Sequence, residues 1–413
     1  MTPASFNGKI LPADRVKSIH DAIVANDIEQ LRTIARSEDG LMCDWLRRQA
    51  WPILLHSQEG IPVREVGSEQ DLRDPIQISK DVERSLYYFP QGTVNSHLLL
   101  RICTAIFSYD KPTHRLSLTH TISFPPPDLS TPQKVQRRRE LHEMIIEILW
   151  HNPNLHYYQG FHDVCTTFLL VLGKRLAIPA AENVAMFFLR DIPIPVLTLA
   201  RSSKLIFTST DGMLDSIDPV SRQLSLVTTL LKLENPGLHE FLMNANIMPF
   251  YTLSWVLTWF SHDLTDFDKV MRLFDLFMAS TPLMPIYVAC AIVLSHGQEL
   301  LLQEPEMVHM YLVNLPQDPD MDIDEIIQMA IVLEKKYPPM DLQKRSGTWL
   351  DECSPVNTYE TEWRCLDADT HPDRIAAEQC LTMPPRRMME PRNPESRKRR
   401  PSLWERLSGG LVV

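Results

Sequence analysis

The chain has 413 residues, 44% of them hydrophobic, with 41 Lys+Arg against 52 Asp+Glu and a formal net charge of −11. That apolar fraction can bury a sizeable core and excludes wholesale disorder, while the acidic balance excludes a general nucleic-acid binder, which needs clustered Lys and Arg. Only 13 glycines accompany 32 prolines, which argues against a β-rich or Gly-loop-dependent fold and for helices with many connections.

Over 11–36 the apolar positions Val16, Ile19, Ile23, Ile28, Leu31 and Ile34 recur at helical spacing, and Gly40 reads as the stop. Residues 1–39 are thus a helical lead-in. Asp44 then reads as the cap of a helix containing Leu46, Ala50, Leu54 and Leu55. Within it Arg47 and Trp51 are four apart, on one face, where a guanidinium can lie over an indole.

The best-defined helix begins at Thr131-Pro132, an N-cap followed by proline. Its apolar positions Leu141, Met144, Ile145, Ile148 and Leu149 follow one face, and His151-Asn152-Pro153 ends it. A second helix starts after Gly160 with Phe161, Val164, Cys165, Phe168, Leu169 and Leu172. Further helices are predicted over 182–189, 221–233, 253–260, 267–279, 287–294 and 324–336. The last carries Asp324 and Glu325 in its first turn and Lys335 and Lys336 in its last, matching the helix dipole. The architecture is all-α. Residues 93–127 and 192–212 break the regularity and read as long irregular inserts.

Residues 241–262 and 276–298 carry no Lys, Arg, Asp or Glu, but Asn244, Asn246, Pro249, Ser280, Pro282, Pro285 and Ser295 interrupt them. Buried core helices suit them better than bilayer spans, which need about 20 predominantly apolar residues. After about Met340 apolar runs shrink, and 339–413 reads as a largely disordered basic tail. From Pro384 to Val413 it holds eight positive and three negative side chains. The alternatives there are an anionic-membrane or nuclear-import patch beside a phosphorylatable Ser402. The terminal Leu411-Val412-Val413 run is too short for an anchor, so none is expected.

Seven cysteines show no C-x-x-C pair, and the N-terminus has neither a basic region nor an apolar stretch. Both suggest a cytoplasmic protein. His156, His162 and Asp163 lie close together, and Cys353, Cys365, His371 and Cys380 are irregularly spaced. Neither group has metal-ligand spacing, and no metal site is expected. Conventional nucleotide-loop, hydrolase and kinase signatures are missing.

Two short strings stand out. In Ile78-Ser79-Lys80-Asp81-Val82-Glu83-Arg84, Asp81 and Arg84 are one helical turn apart, so a carboxylate can direct a guanidinium. In Tyr157-Tyr158-Gln159-Gly160, a glutamine sits on a Gly-terminated turn between two helices, projected out of the scaffold.

Together these strings resemble the I-x-x-D-x-x-R and Y-x-Q motifs of the Rab-GAP TBC domain family. Leu46-Arg47-Arg48-Gln49-Ala50-Trp51 is similar to the family's opening L-R-x-x-x-W element, and Gly160-Phe161-His162-Asp163 to its G-x-x-D block. Trp255 to Phe260 and Arg272-Leu273-Phe274-Asp275 are similar to its late W-x-x-x-x-F and R-L-W-D elements. The resemblance covers about 40–338, with the inserts at 93–127 and 192–212 inside it.

The resemblance implies a multi-helix GTPase-activating domain that completes the active site of a GTP-loaded Rab-family GTPase rather than being an enzyme by itself. Arg84 would be an arginine finger and Gln159 a glutamine finger that positions the attacking water. Ile78, Asp81, Tyr157 and Gly160 would support them, while Arg47, Trp51, Asp163, Trp255 and Asp275 would be structural. GTP and Mg²⁺ would belong to the partner, and the chain would need no cofactor or metal of its own. The wording of 155–160 and 283–287 resembles a branch of the family that implies ER-to-Golgi vesicle traffic, with peripheral association at those membranes. The alternative is a TBC-fold scaffold that binds a Rab without activating it.

Overall fold

The computed structural model describes residues 5–6, 9–10, 13–58, 72, 75–86, 131–190 and 218–382. The inserts expected at 93–127 and 192–212, and the basic stretch after 382, lie outside the described residues. A two-residue hairpin, β1 (Ser5–Phe6) and β2 (Lys9–Ile10), precedes a structure that is otherwise helical.

The predicted lead-in helix is two helices, α1 (Ala13–Val24) and α2 (Ile28–Arg36). Asn26 between them adopts φ +53°, a conformation asparagine tolerates, and Asp27 caps α2 by accepting from the Gln30 N–H at 2.9 Å. In α3 (Asp44–Leu54) Asp44 is the first helical residue, not the cap; Cys43 holds that position and supplies no side-chain bond.

Proline sets the start of α4 (Pro75–Arg84), which packs against α5 (Thr131–His151) and α6 (Phe161–Leu172). Both ends of α5 and the start of α6 follow the predicted signals. Asn152 closes α5 by donating to the Ile148 carbonyl and to Glu182, each at 2.8 Å. Gly173 alone, at φ +73°, separates α6 from α7 (Lys174–Phe187), so the helix predicted over 182–189 begins eight residues earlier.

The second half is built on α8 (Asp218–Glu234), α9 (Pro236–Asn244), a 3₁₀ turn at Pro249–Thr252, α10 (Leu253–Leu257), α11 (Phe267–Met278) and α12 (Met284–Ser295). Every residue of α12 from Met284 to Val293 is buried. A helix apolar all round belongs at the centre of a core, and α12 packs against α8, α10, α11 and α15 (Ile323–Lys336). Between them lie α13 (Gly297–Leu301) and α14 (Val308–Asn314). Among the described residues no helix is long and apolar enough to cross a membrane. The uncharged stretch from 276 is a core segment, whereas 241–262 is buried mainly from Tyr251 onward and leaves Met243, Met248 and Phe250 exposed.

The ordered fold does not stop near 338. α16 (Pro339–Ser346), α17 (Pro355–Thr358), a π-turn at Tyr359–Arg364 and α18 (Arg374–Thr382) follow. They bury Leu342, Leu350, Val356, Tyr359, Trp363 and Ala377 in the same core. The expected boundary is thereby corrected: polar composition after Met340 reflects thin helices laid over the domain, each contributing only a few apolar side chains.

Candidate functional site

Helix α4 turns Ile78 and Val82 into the core and leaves Arg84 exposed in its last turn. Asp81 is buried on the inward face, and its carboxylate does not pair with Arg84. It accepts from Gln77 Nε2 at 2.9 and 3.0 Å and from the Tyr157 hydroxyl at 2.9 Å. The one-turn spacing of Asp81 and Arg84 therefore does not make an ion pair; Asp81 fixes the helix, and the helix presents Arg84. Among the described residues Arg84 has no hydrogen bond or ion pair.

The turn after α5 alternates buried and exposed side chains. Tyr157 and Tyr158 are buried, Gln159 is exposed, and Gly160 is buried. Tyr158 donates to the Leu257 carbonyl at 2.7 Å. Gly160 sits at φ +113°, and a Cβ there would lie 2.9 Å from the Thr258 methyl, so both conformation and space call for glycine. Two anchored tyrosines before it and a buried glycine after it thus leave Gln159 turned outward. Burial first, and then the charge of Asp81, hold the Tyr157 hydroxyl well above its usual pKa, keeping it a donor to that carboxylate.

A hydrogen-bonded set continues behind the turn. His162 Nδ1 lies 3.1 Å from the Tyr157 oxygen and accepts from the Gly160 N–H at 3.3 Å. His162 Nε2 is 3.4 Å from Asp163 Oδ1, and Asp163 Oδ2 is 3.1 Å from Nδ1 of the half-exposed His262. The bond to Asp163 raises the His262 pKa. Burial pushes Asp263 up to about 6 although Ser254 donates to it at 2.8 Å. Sequence reading sets His162 aside as a metal ligand in favour of a core or surface role. Its place two residues beyond Gly160, in the first turn of α6, folds it back over the turn. Among the described residues no group of three His, Cys, Asp or Glu side chains is arranged to hold a metal ion.

A second, separate set joins α3 to α11. Arg47 Nε and Nη2 donate to Asp275 at 3.0–3.1 Å, Trp51 Nε1 donates to it at 2.8 Å, and the Leu41 N–H at 3.1 Å. The guanidinium therefore does not lie over the indole as its spacing suggested; both share one buried carboxylate. Burial opposes the Arg47 charge, but Asp275 outweighs it and raises the Arg47 pKa. Trp255 is fully buried, with Tyr251 and Phe260 against it at 5.8 and 6.0 Å between ring centres. Arg47, Trp51, Trp255 and Asp275 are all buried inside the helical packing. Asp163 stands apart from them, because it backs the turn.

The family model for the Rab-GTPase-TBC domain matches residues 114–301, a span that includes Gln159 and begins after Arg84. The chain is 32% identical over 379 residues to human "TBC1 domain family member 20", covering 90% of this chain and 79% of that protein. The mouse protein of that name is 33% identical over 383 residues. "GTPase-activating protein gyp10" of Schizosaccharomyces pombe is 28% identical over 317 residues, covering 74% of this chain and 68% of that protein. With the family model matched and a relative at this identity aligned over most of both lengths, the chain belongs to the Rab-GTPase-TBC domain family.

Proposed function

We propose that this protein accelerates GTP hydrolysis by a Rab-family GTPase in its GTP state, with Arg84 as arginine finger and Gln159 as glutamine finger. The observation that carries the reading is the 2.9 Å bond between Tyr157 and Asp81. It ties the helix that ends in exposed Arg84 to the turn that ends in exposed Gln159. That bond, between residues 76 apart in the chain, supports the two motifs acting at one locus.

Phosphoryl transfer passes through a loose transition state with charge spread over the phosphoryl oxygens, so positioning and electrostatics supply the acceleration. Arg84 is delocalised and permanently charged, and can offer two donors to the γ-phosphoryl and the bridging oxygen. Gln159 can hold the attacking water with its amide oxygen as acceptor and its amide N–H on the phosphoryl group. GTP and Mg²⁺ remain the partner's. Family membership and the resemblance of 155–160 and 283–287 to one branch support action in ER-to-Golgi vesicle traffic, at the periphery of those membranes.

Single-turnover hydrolysis by a panel of GTP-loaded Rab GTPases, with and without the full chain, tests this. Arg84→Ala should remove most of an acceleration of about 10³–10⁵, and Gln159→Ala should lose about 10²-fold. Binding of a GTP-loaded Rab with no acceleration by the unmodified chain would favour the scaffold reading instead.

A further inference from the structure

We propose that His162 is a positioning residue that locks the Gln159 turn to the Arg84 helix. The inference rests on the finger reading above and names what keeps the two fingers in register. Among the described residues, His162 is the side chain that bonds both the backbone of the turn, at Gly160, and the tyrosine that holds α4, Tyr157.

The donors and acceptors fit one arrangement. Asp81 is an acceptor, so the single Tyr157 proton lies toward it and is shared with His162 Nδ1. With its proton on Nε2, His162 accepts from the Gly160 N–H through Nδ1, and Nε2 lies 3.4 Å from Asp163 Oδ1. Asp163 is itself held by His262, whose backbone N–H donates to Thr258 Oγ1 at 3.3 Å. Thr258 is the residue whose methyl crowds Gly160. The ring is therefore held through Nδ1, with Nε2 facing Asp163, and its backing returns to the same turn it supports. All of these atoms belong to three stretches distant in sequence, 81, 157–163 and 258–262.

A phenyl ring at 162 keeps the volume but leaves the Gly160 N–H with no acceptor. The turn can then shift relative to α4 without loss of the core, and a displacement of about 1 Å in a positioned group can cost about 10²-fold in rate. A glutamine at 162 retains an acceptor for Gly160 and a donor for Asp163.

In the full chain, His162→Phe should lower kcat for activation of the GTP-loaded Rab that responds best by about 10- to 100-fold, with KM changed less than about threefold. His162→Gln should recover most of it. Amide hydrogen exchange should quicken together at 78–84 and 157–161 in His162→Phe, a readout independent of any GTPase. Unchanged exchange at both elements, or kcat within twofold of the unmodified chain, overturns the proposal. So does a loss carried equally by KM and thermal stability, which marks a merely structural ring. If His162→Phe does not fold, Asp163→Asn takes its place, with the same exchange pattern expected and unchanged exchange again overturning. Arg84→Ala separates the two readings: activation that survives it removes the fingers, whereas exchange still judges the coupling.

Discussion

Asp263 is a residue whose charge is costly to the fold. Burial holds its folded pKa at about 6, against about 3.9 in an unfolded chain. The protonated form therefore favours folding, and its contribution, fully present below about pH 4, is lost as pH rises through 6. The neighbouring His262, raised by Asp163, acts in the same direction: its contribution is full below about pH 6.5 and declines as pH rises through the folded value. Asp263→Asn should therefore stabilise the chain by about 2 kcal/mol at pH 8, and this gain should shrink as pH falls from 6 toward 4. Urea unfolding at pH 5 and pH 8 checks it, and a gain independent of pH would refute the assignment. Nothing in the sequence foretells this. Gln159 was legible because a Gly-ended turn projects its side chain, but His162, Asp163 and Asp263 acquire their chemistry from partners at 157, 160, 254 and 262.

At the scale of elements, the legible boundaries are those written in local chemistry. Thr131-Pro132 starts α5 and Gly160 precedes α6, as the spacing predicts. Boundaries set by tertiary context were missed. Trp259 and Phe260 take φ +51° and +65°, ending α10 at Leu257 although the apolar pattern runs on. Their rings pack into Phe274 and Phe277, which compensates a conformation bulky residues rarely adopt. α15 is a cleaner case. Its expected acidic first turn is present, but the cap is Asp322, which accepts from the N–H groups of Asp324 and Glu325 at 2.9 and 3.3 Å. Asp322→Ala should cost about 1 kcal/mol in urea unfolding. Asp322→Ser should restore most of it, since a hydroxyl can accept the same bonds; equal losses in both would mean the cap is not the cause.

For the whole molecule, all-α architecture was evident from periodicity, whereas the contribution of 339–382 was not, because its apolar residues are too sparse to show a period. Its anchoring is nonetheless extensive. Trp363 packs against Phe187, Phe188 and His56 at 5.0–5.1 Å between ring centres. Arg364 pairs with Glu29 of α2, Asn26 donates to Asp369 at 2.6 Å, and Arg374 bonds Asn183 and Glu182 of α7 at 2.6 and 2.8 Å. The C-terminal helices thus clamp the N-terminal lead-in onto α7. If the segment is integral, truncating Trp363 must destabilise everything at once. Trp363→Ala should lower stability by about 3–5 kcal/mol, as a shift of one cooperative unfolding transition seen alike by far-UV and near-UV circular dichroism. A separate early transition, with the main one left where it stands in the unmodified chain, would instead show these helices to be an appendage that the domain does not need.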